Sequence, residues 1–232
     1  MKNIDHAASA GDRELAGVRK LSRRNRWKTD NRVEVWRGEK VVVKDCSVMP
    51  PWYRYLFGIR QLRREYRALE ALADFATVPS VRRWVSPTAF AMQWMEGTSI
   101  RSARGDRNLS FICEQLHQCV AKMHRLGVAH CDLHQSNILV TPDRQVRIVD
   151  LATAVERSGV PAWVWAYATY LDWVAVGKFY RLYSPARFRQ ANAPWLIPPP
   201  FGYRTIHDFF HRTLRRRPER IHATLAGHYP QV

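Results

Sequence analysis

Three side chains near the middle of the chain have types and spacings that could carry chemistry. Asp132 and Asn137 stand five residues apart in His130 to Asn137, read as H-C-D-L-H-Q-S-N, and Asp150 closes a later apolar run, Val146-Arg147-Ile148-Val149. An amide and a carboxylate delivered from two neighbouring strands are hard oxygen ligands of the kind Mg²⁺ takes, and they leave Asp132 free to accept a proton. The histidines around them read differently. His124, His130 and His134 straddle a helix end and a loop, a poor spacing for zinc. No serine sits in a nucleophile elbow.

Such groups need elements to hold them. Val33-Glu34-Val35-Trp36 alternates, Arg37-Gly38-Glu39-Lys40 reads as a tight turn, and Val41-Val42-Val43-Lys44 as a second strand. Residues 59–74 predict an amphipathic helix, since Ile59, Leu62, Tyr66, Leu69 and Leu72 recur at three- and four-residue steps. Glu65 lies beside that face, with Glu70 as a competitor. After Pro79, Pro87 and the alternation Ala89-Phe90-Ala91-Met92 comes Gln93-Trp94-Met95-Glu96-Gly97, where glycine permits a bend. A second helix is predicted over 110–126, with Ile112, Leu116, Val120 and Met123 on one stripe and Gly127 ending it. Cys113 and Cys119 are expected to line the core. The aromatic stretch Val160 to Tyr183 predicts one or two buried helices, too short and interrupted to span a membrane. Asp172 within it either braces the loop by accepting backbone hydrogen bonds or lies exposed.

The H-x-D-x-x-x-x-N loop followed by an Asp at a strand end resembles the catalytic loop and metal-binding Asp of protein-kinase-like phosphotransferases, and Lys44, Glu65 and the 93–97 stretch occur in that family's order. The resemblance covers roughly residues 33–155. It implies an α+β, two-lobed fold with a small β-rich N-lobe (33–97, hinge included) and a short, mainly helical C-lobe (98–232), behind a basic arm at 1–32. It further implies ATP and Mg²⁺ as cofactors. Asp132 would orient or deprotonate the acceptor hydroxyl, and Asn137 and Asp150 would ligate Mg²⁺. Lys44, held by Glu65, would meet the ATP phosphates, and the backbone near Gln93 to Met95 would bind adenine. Three departures stand out: no glycine-rich loop precedes Val33, Cys131 replaces the usual Arg, and D-L-A replaces D-F-G. Only 82 residues follow Asp150. The compact D-L-H-x-x-N form looks closest to the lipopolysaccharide core (Kdo or heptose) kinases, with RIO-type protein kinases and a pseudokinase-like binding scaffold as alternatives.

Charge narrows the partners. With 37 Lys and Arg against 20 Asp and Glu, the net charge is +17, which favours an anionic acceptor such as a phosphorylated glycolipid, or a protein, with peripheral contact at the anionic inner membrane. A nucleic-acid partner is less favoured, since no such motif accompanies the basic residues. Arg101, Arg104 and Arg107 form a basic loop, P-P-P-F-G at 198–202 reads as a connector, and six arginines from Arg204 to Arg220 are interleaved with Phe209, Phe210 and Leu214. Four scattered cysteines without a C-x-x-C pair and an N-terminus lacking an apolar core predict a cytoplasmic protein in a reducing compartment.

Overall fold

A computed structural model describes residues 19–20, 27–102, 110–188 and 200. The chain divides after Leu196 into two units, and all described residues but Pro200 lie in the first. Much of the N-terminal arm, Arg104, Arg107 and the arginine-rich tail fall outside the described residues.

The N-lobe is an antiparallel sheet. Strands β1 (Arg19–Lys20), β2 (Asp30–Trp36) and β3 (Glu39–Asp45) run in sequence. The turn between β2 and β3 is tighter than expected, with Trp36 already opposite Glu39 and only Arg37 and Gly38 between them. Both take positive φ, 53° and 78°, the backbone that matches a two-residue hairpin to the strands' twist. The sheet also begins earlier than Val33: β2 starts at Asp30, and Arg19 and Lys20 pair with Val33 and Arg32. Polar β1 carries no alternation for a sequence reading to find.

Next come a helical turn, α1 (Pro51–Tyr53), a π-helical stretch (Arg54–Gly58) and helix α2 (Ile59–Ala71). Helix α2 ends three residues short of the predicted boundary. Strands β4 (Val81–Ser86) and β5 (Ala89–Gln93) complete the sheet in the order β1-β2-β3-β5-β4. Strand β3 is therefore interior, and its period of two splits its residues. Val42 joins the main core with Leu62 and Leu69 of α2, while Val41 and Val43 join Ala89 and Ala91 on the far face. Lys44 shares the Val42 face, so the alternation aims it at the helix.

The C-lobe holds β6 (Thr98–Ser99), α3 (Ser110–Arg125), β7 (Val128–Ala129), β8 (Ile138–Val140), β9 (Val146–Ile148) and β10 (Val155–Glu156). A 22-residue helix, α4 (Ala162–Tyr183), and a short α5 (Pro185–Phe188) follow. Helix α3 ends at Arg125, and Gly127 beyond it takes a φ of 80°, the left-handed backbone that closes a helix end. Strands β8 and β9 form a hairpin and β7 pairs with β10. The aromatic stretch is one helix, with Tyr170, Val176, Phe179 and Tyr180 buried and Trp163 and Leu182 exposed. Among the described residues no helix is long and apolar enough to cross a membrane. A β-rich first part and a helical second part make this an α+β, two-lobed fold.

Candidate active site

Lys44 is the junction of the site. From β3 its ammonium donates to Glu65 Oε1 of α2 at 2.6 Å and to Asp150 Oδ1 at 2.7 Å. Lys44 and Glu65 are almost wholly buried, whereas the Asp150 side chain is 46% exposed. Burial alone would lower the Lys44 pKa, yet the two carboxylates outweigh it and leave the value raised. Asp150 behaves as the mirror image. Burial pushes its carboxyl up, but Lys44 holds it below the usual carboxylate value. Burial raises Glu65, with Lys44 opposing. The backbone amides of Leu151 and Ala152 add a smaller lowering influence on Glu65 and Asp150 respectively. Glu70 is exposed and takes no part.

The loop below is held as firmly. The buried carboxylate of Asp172 on α4 accepts the backbone amide of His130 at Oδ2 and that of Cys131 at Oδ1, both at 2.7 Å. His124 Nε2 lies 2.9 Å from the same Oδ2. Of the two readings open for Asp172, the bracing one is what the geometry gives. Cys131 sits at φ 65° and Asp150 at φ 67°, left-handed backbone that costs a side-chain-bearing residue about 1 kcal/mol or more and persists only where its surroundings enforce it. His130 is fully buried; its Nε2 lies 3.2 Å from the Val149 carbonyl and its Nδ1 accepts the Asp132 amide at 3.3 Å. It ties the loop to the strand that delivers Asp150. Asn137 Nδ2 donates to the Asp132 carbonyl at 3.1 Å, and the Asn137 carbonyl accepts the Val149 amide at 2.9 Å. The Asp132 carboxylate itself is half exposed, 3.7 Å from His134.

The 93–97 stretch is largely committed to protein contacts. The Gln93 amide donates to Ser80 and the Trp94 amide to Lys40, while Gln93 Oε1 accepts from the Ser80 amide and hydroxyl. Met95 is buried. Gly97 takes φ 140°, and a Cβ there would sit 3.0 Å from the Val140 carbonyl, so glycine lets the strand exit run against β8.

The geometry can be set beside known proteins. Residues 60–158 match the ABC1 atypical kinase-like domain, a span holding Glu65, Asp132, Asn137 and Asp150 and beginning downstream of Lys44. In an alignment 125 positions long, the sequence is 27% identical to cyclin-dependent kinase F-4 of Oryza sativa subsp. japonica, and the alignment covers 45% of this chain and 27% of that protein. The chain thus spans about a quarter of the length of that curated relative. The fold is protein-kinase-like.

Mg²⁺ and ATP would have to be held by the donors this site carries. Among the described residues no three His, Cys, Asp or Glu side chains cluster as a metal cage. The oxygens on offer are the partly exposed carboxylate of Asp150, whose Oδ1 meets Lys44, and the side-chain oxygen of Asn137, whose amide nitrogen donates to the Asp132 carbonyl. One or two protein oxygens completed by substrate phosphates and water is how Mg²⁺ is normally held, so the residues fit. The four thiols do not compete. Burial raises every one, Cys113 to about 12.

Sequence reasoning passed over two contributors. Thr153 donates its hydroxyl to the His130 carbonyl at 3.0 Å, and Tyr183 pairs with Gln135 of the loop at 2.9 Å; neither belongs to a motif. His124, considered as a metal ligand, is instead the third partner of Asp172, in edge-to-face contact with Trp165 and Trp173.

Proposed function

We propose that the protein is an ATP- and Mg²⁺-dependent phosphotransferase acting on a hydroxyl. The observation that carries the reading is the Lys44–Glu65–Asp150 junction poised over a braced Asp132 loop. In this reading Asn137 and Asp150 would hold the metal, which would supply charge neutralisation. Lys44 contributes a fixed positive charge, oriented by Glu65. Asp132 takes the acceptor's proton or aligns its hydroxyl, and its exposure suits access by substrate. Adenine would have to use the Met95 amide or the carbonyls of this stretch, because the amides of Gln93 and Trp94 are engaged. In sequence no glycine-rich loop precedes Val33, and residues 21–29 carry Arg23, Arg24, Arg26 and Lys28, basic side chains that would have to replace it.

An anionic acceptor fits the neighbourhood. A cleft of about 440 Å³ beside the loop is lined by Arg101, His134, Gln135 and Lys178 together with Leu133 and Phe179. Cations over an apolar floor suit a phosphorylated or carboxylated sugar on a lipid, and we favour a lipopolysaccharide core sugar presented at the inner membrane face to a cytoplasmic enzyme. The similarity to a cyclin-dependent kinase supports a protein acceptor as the second reading, and the RIO-type protein kinases that the loop resembles are the form we propose for it.

Radiolabelled ATP with core glycolipid and with a generic protein separates them. Label in the glycolipid, lost in Asp132→Asn and Asp150→Asn, is the expected result, and label in protein alone would overturn the sugar reading. Transfer unchanged in both variants would end the phosphotransferase assignment and leave a binding scaffold.

A further inference from the structure

The stretch between β3 and α2 lies outside the site just described and exposes what globular proteins normally bury. Val48, Trp52, Tyr55, Leu56 and Phe57 are 46–64% exposed, and Trp27 packs beside them at 45%. Isolated exposed apolar residues are ordinary; a contiguous group marks an interaction surface. Here the group is built. The rings of Trp27, Trp52, Tyr53 and Phe57 contact one another at centroid distances of 5.0–5.9 Å. The π-helical turn Arg54–Gly58 sets Tyr55, Leu56 and Phe57 outward in a row. Gly58 anchors the base, since a Cβ there would approach Met49 Sδ to 2.8 Å and Cys46 Cβ to 3.2 Å.

Charge identifies the partner. From Cys46 to Arg64 the chain has no acidic side chain, and Arg60, Arg63 and Arg64 are exposed on the adjoining turns of α2. Arg54 packs over the Tyr55 ring at 5.2 Å. Aromatic rings that are apolar in body and polar at the tip, with Arg54 packed on one of them and a stretch free of acids leading into the arginines of α2, match the chemistry of an anionic lipid headgroup layer. With no described helix able to span a membrane, such contact would lie on the bilayer. We propose that residues 48–57, with Trp27 packed beside them and Arg54 among them, form a docking surface for an anionic membrane. The surface leads directly into α2, which carries Glu65, so a docked protein would present its cleft at fixed orientation. The proposal does not depend on the phosphotransferase reading, because its readout is binding.

The test uses the full chain with vesicles of phosphatidylcholine, alone or mixed with phosphatidylglycerol, separated by sedimentation at two salt concentrations. The wild type should sediment with the mixed vesicles, and Trp52→Ser/Leu56→Ser/Phe57→Ser should bind at least tenfold more weakly with an unchanged Tm. Single Leu56→Glu should weaken binding in the same direction if the triple variant fails to fold. Equal binding by wild type and variants would overturn the proposal, assigning adhesion to other cations. So would a wild type that ignores both vesicles, or one that self-associates through this patch and becomes monomeric in the variant without ever binding lipid.

Discussion

At the scale of single residues, Lys44 is the side chain on which most depends. Removing a buried cation leaves its partners uncompensated, so Lys44→Met should cost about 3 kcal/mol or more at neutral pH. The raised Lys44 pKa sets the pH dependence. A raised value stabilises the fold fully below the ordinary lysine value of 10.5, and the gain is lost as pH climbs through the higher folded-state value. The gap in Tm between wild type and Lys44→Met should therefore hold steady to about pH 10 and close above it, which melting curves from pH 7 to pH 11.5 would follow. Asp172 gives a second expectation. An amide in its place can accept at one oxygen only and must turn its NH₂ toward a backbone N–H, so Asp172→Asn should lose about 2–3 kcal/mol. Loop order should go with it: the Tm should fall by several degrees, and hydrogen exchange at the His130 and Cys131 amides should accelerate more than at the α3 amides. Equal acceleration at both would mean that Asp172 supports the whole lobe and not the loop in particular.

Elements show how the site was readable and where it was not. Strand β3 and helix α2 were legible because a buried face imposes a period, and Lys44 and Glu65 fall on those faces. The loop was legible from Asp132, Asn137 and Asp150 alone, since the amide and acid must come from adjacent strands. Two features gave no such signal. Strand β1 is two polar residues, too short to show any alternation. The π-helical turn follows neither of the two common periods and turns its apolar residues to solvent. The bracing role of Asp172 was one of two readings left open, because it depends on α4 packing beside a loop about forty positions earlier in the chain, a distance no local pattern encodes. Close approach of elements also yields a prediction. At Gly97, φ 140° and a 3.0 Å approach to the Val140 carbonyl leave no room for a methyl group, so Gly97→Ala should destabilise by about 1–3 kcal/mol. Denaturant titration would detect it as a lower midpoint with an unchanged slope.

Across the whole molecule, charge and cleft act together. A net charge of +17 should speed encounter with anionic ligands and make it salt-sensitive, because the screening length shrinks from about 10 Å at 0.1 M to about 3 Å at 1 M. Mg·ATP at a hundred times its Kd should stabilise the wild type by about 2.7 kcal/mol, visible as a rise in Tm. Asp150→Asn should blunt that rise, and it should diminish as salt increases. A wild-type Tm indifferent to Mg·ATP would favour the binding scaffold over the enzyme.

The Asp172 brace also orders events in time. His130 and the carboxylate that secures it are 42 residues apart, and at about 5–20 residues per second a growing chain emits one roughly 2–8 s before the other. During that interval the N-lobe strands and α2 have already been synthesised, while the loop carrying Asp132 still lacks its clamp. The last step of building this site therefore belongs to α4, and a nascent chain stopped short of Asp172 would hold every motif residue in sequence without the part that holds the loop in shape.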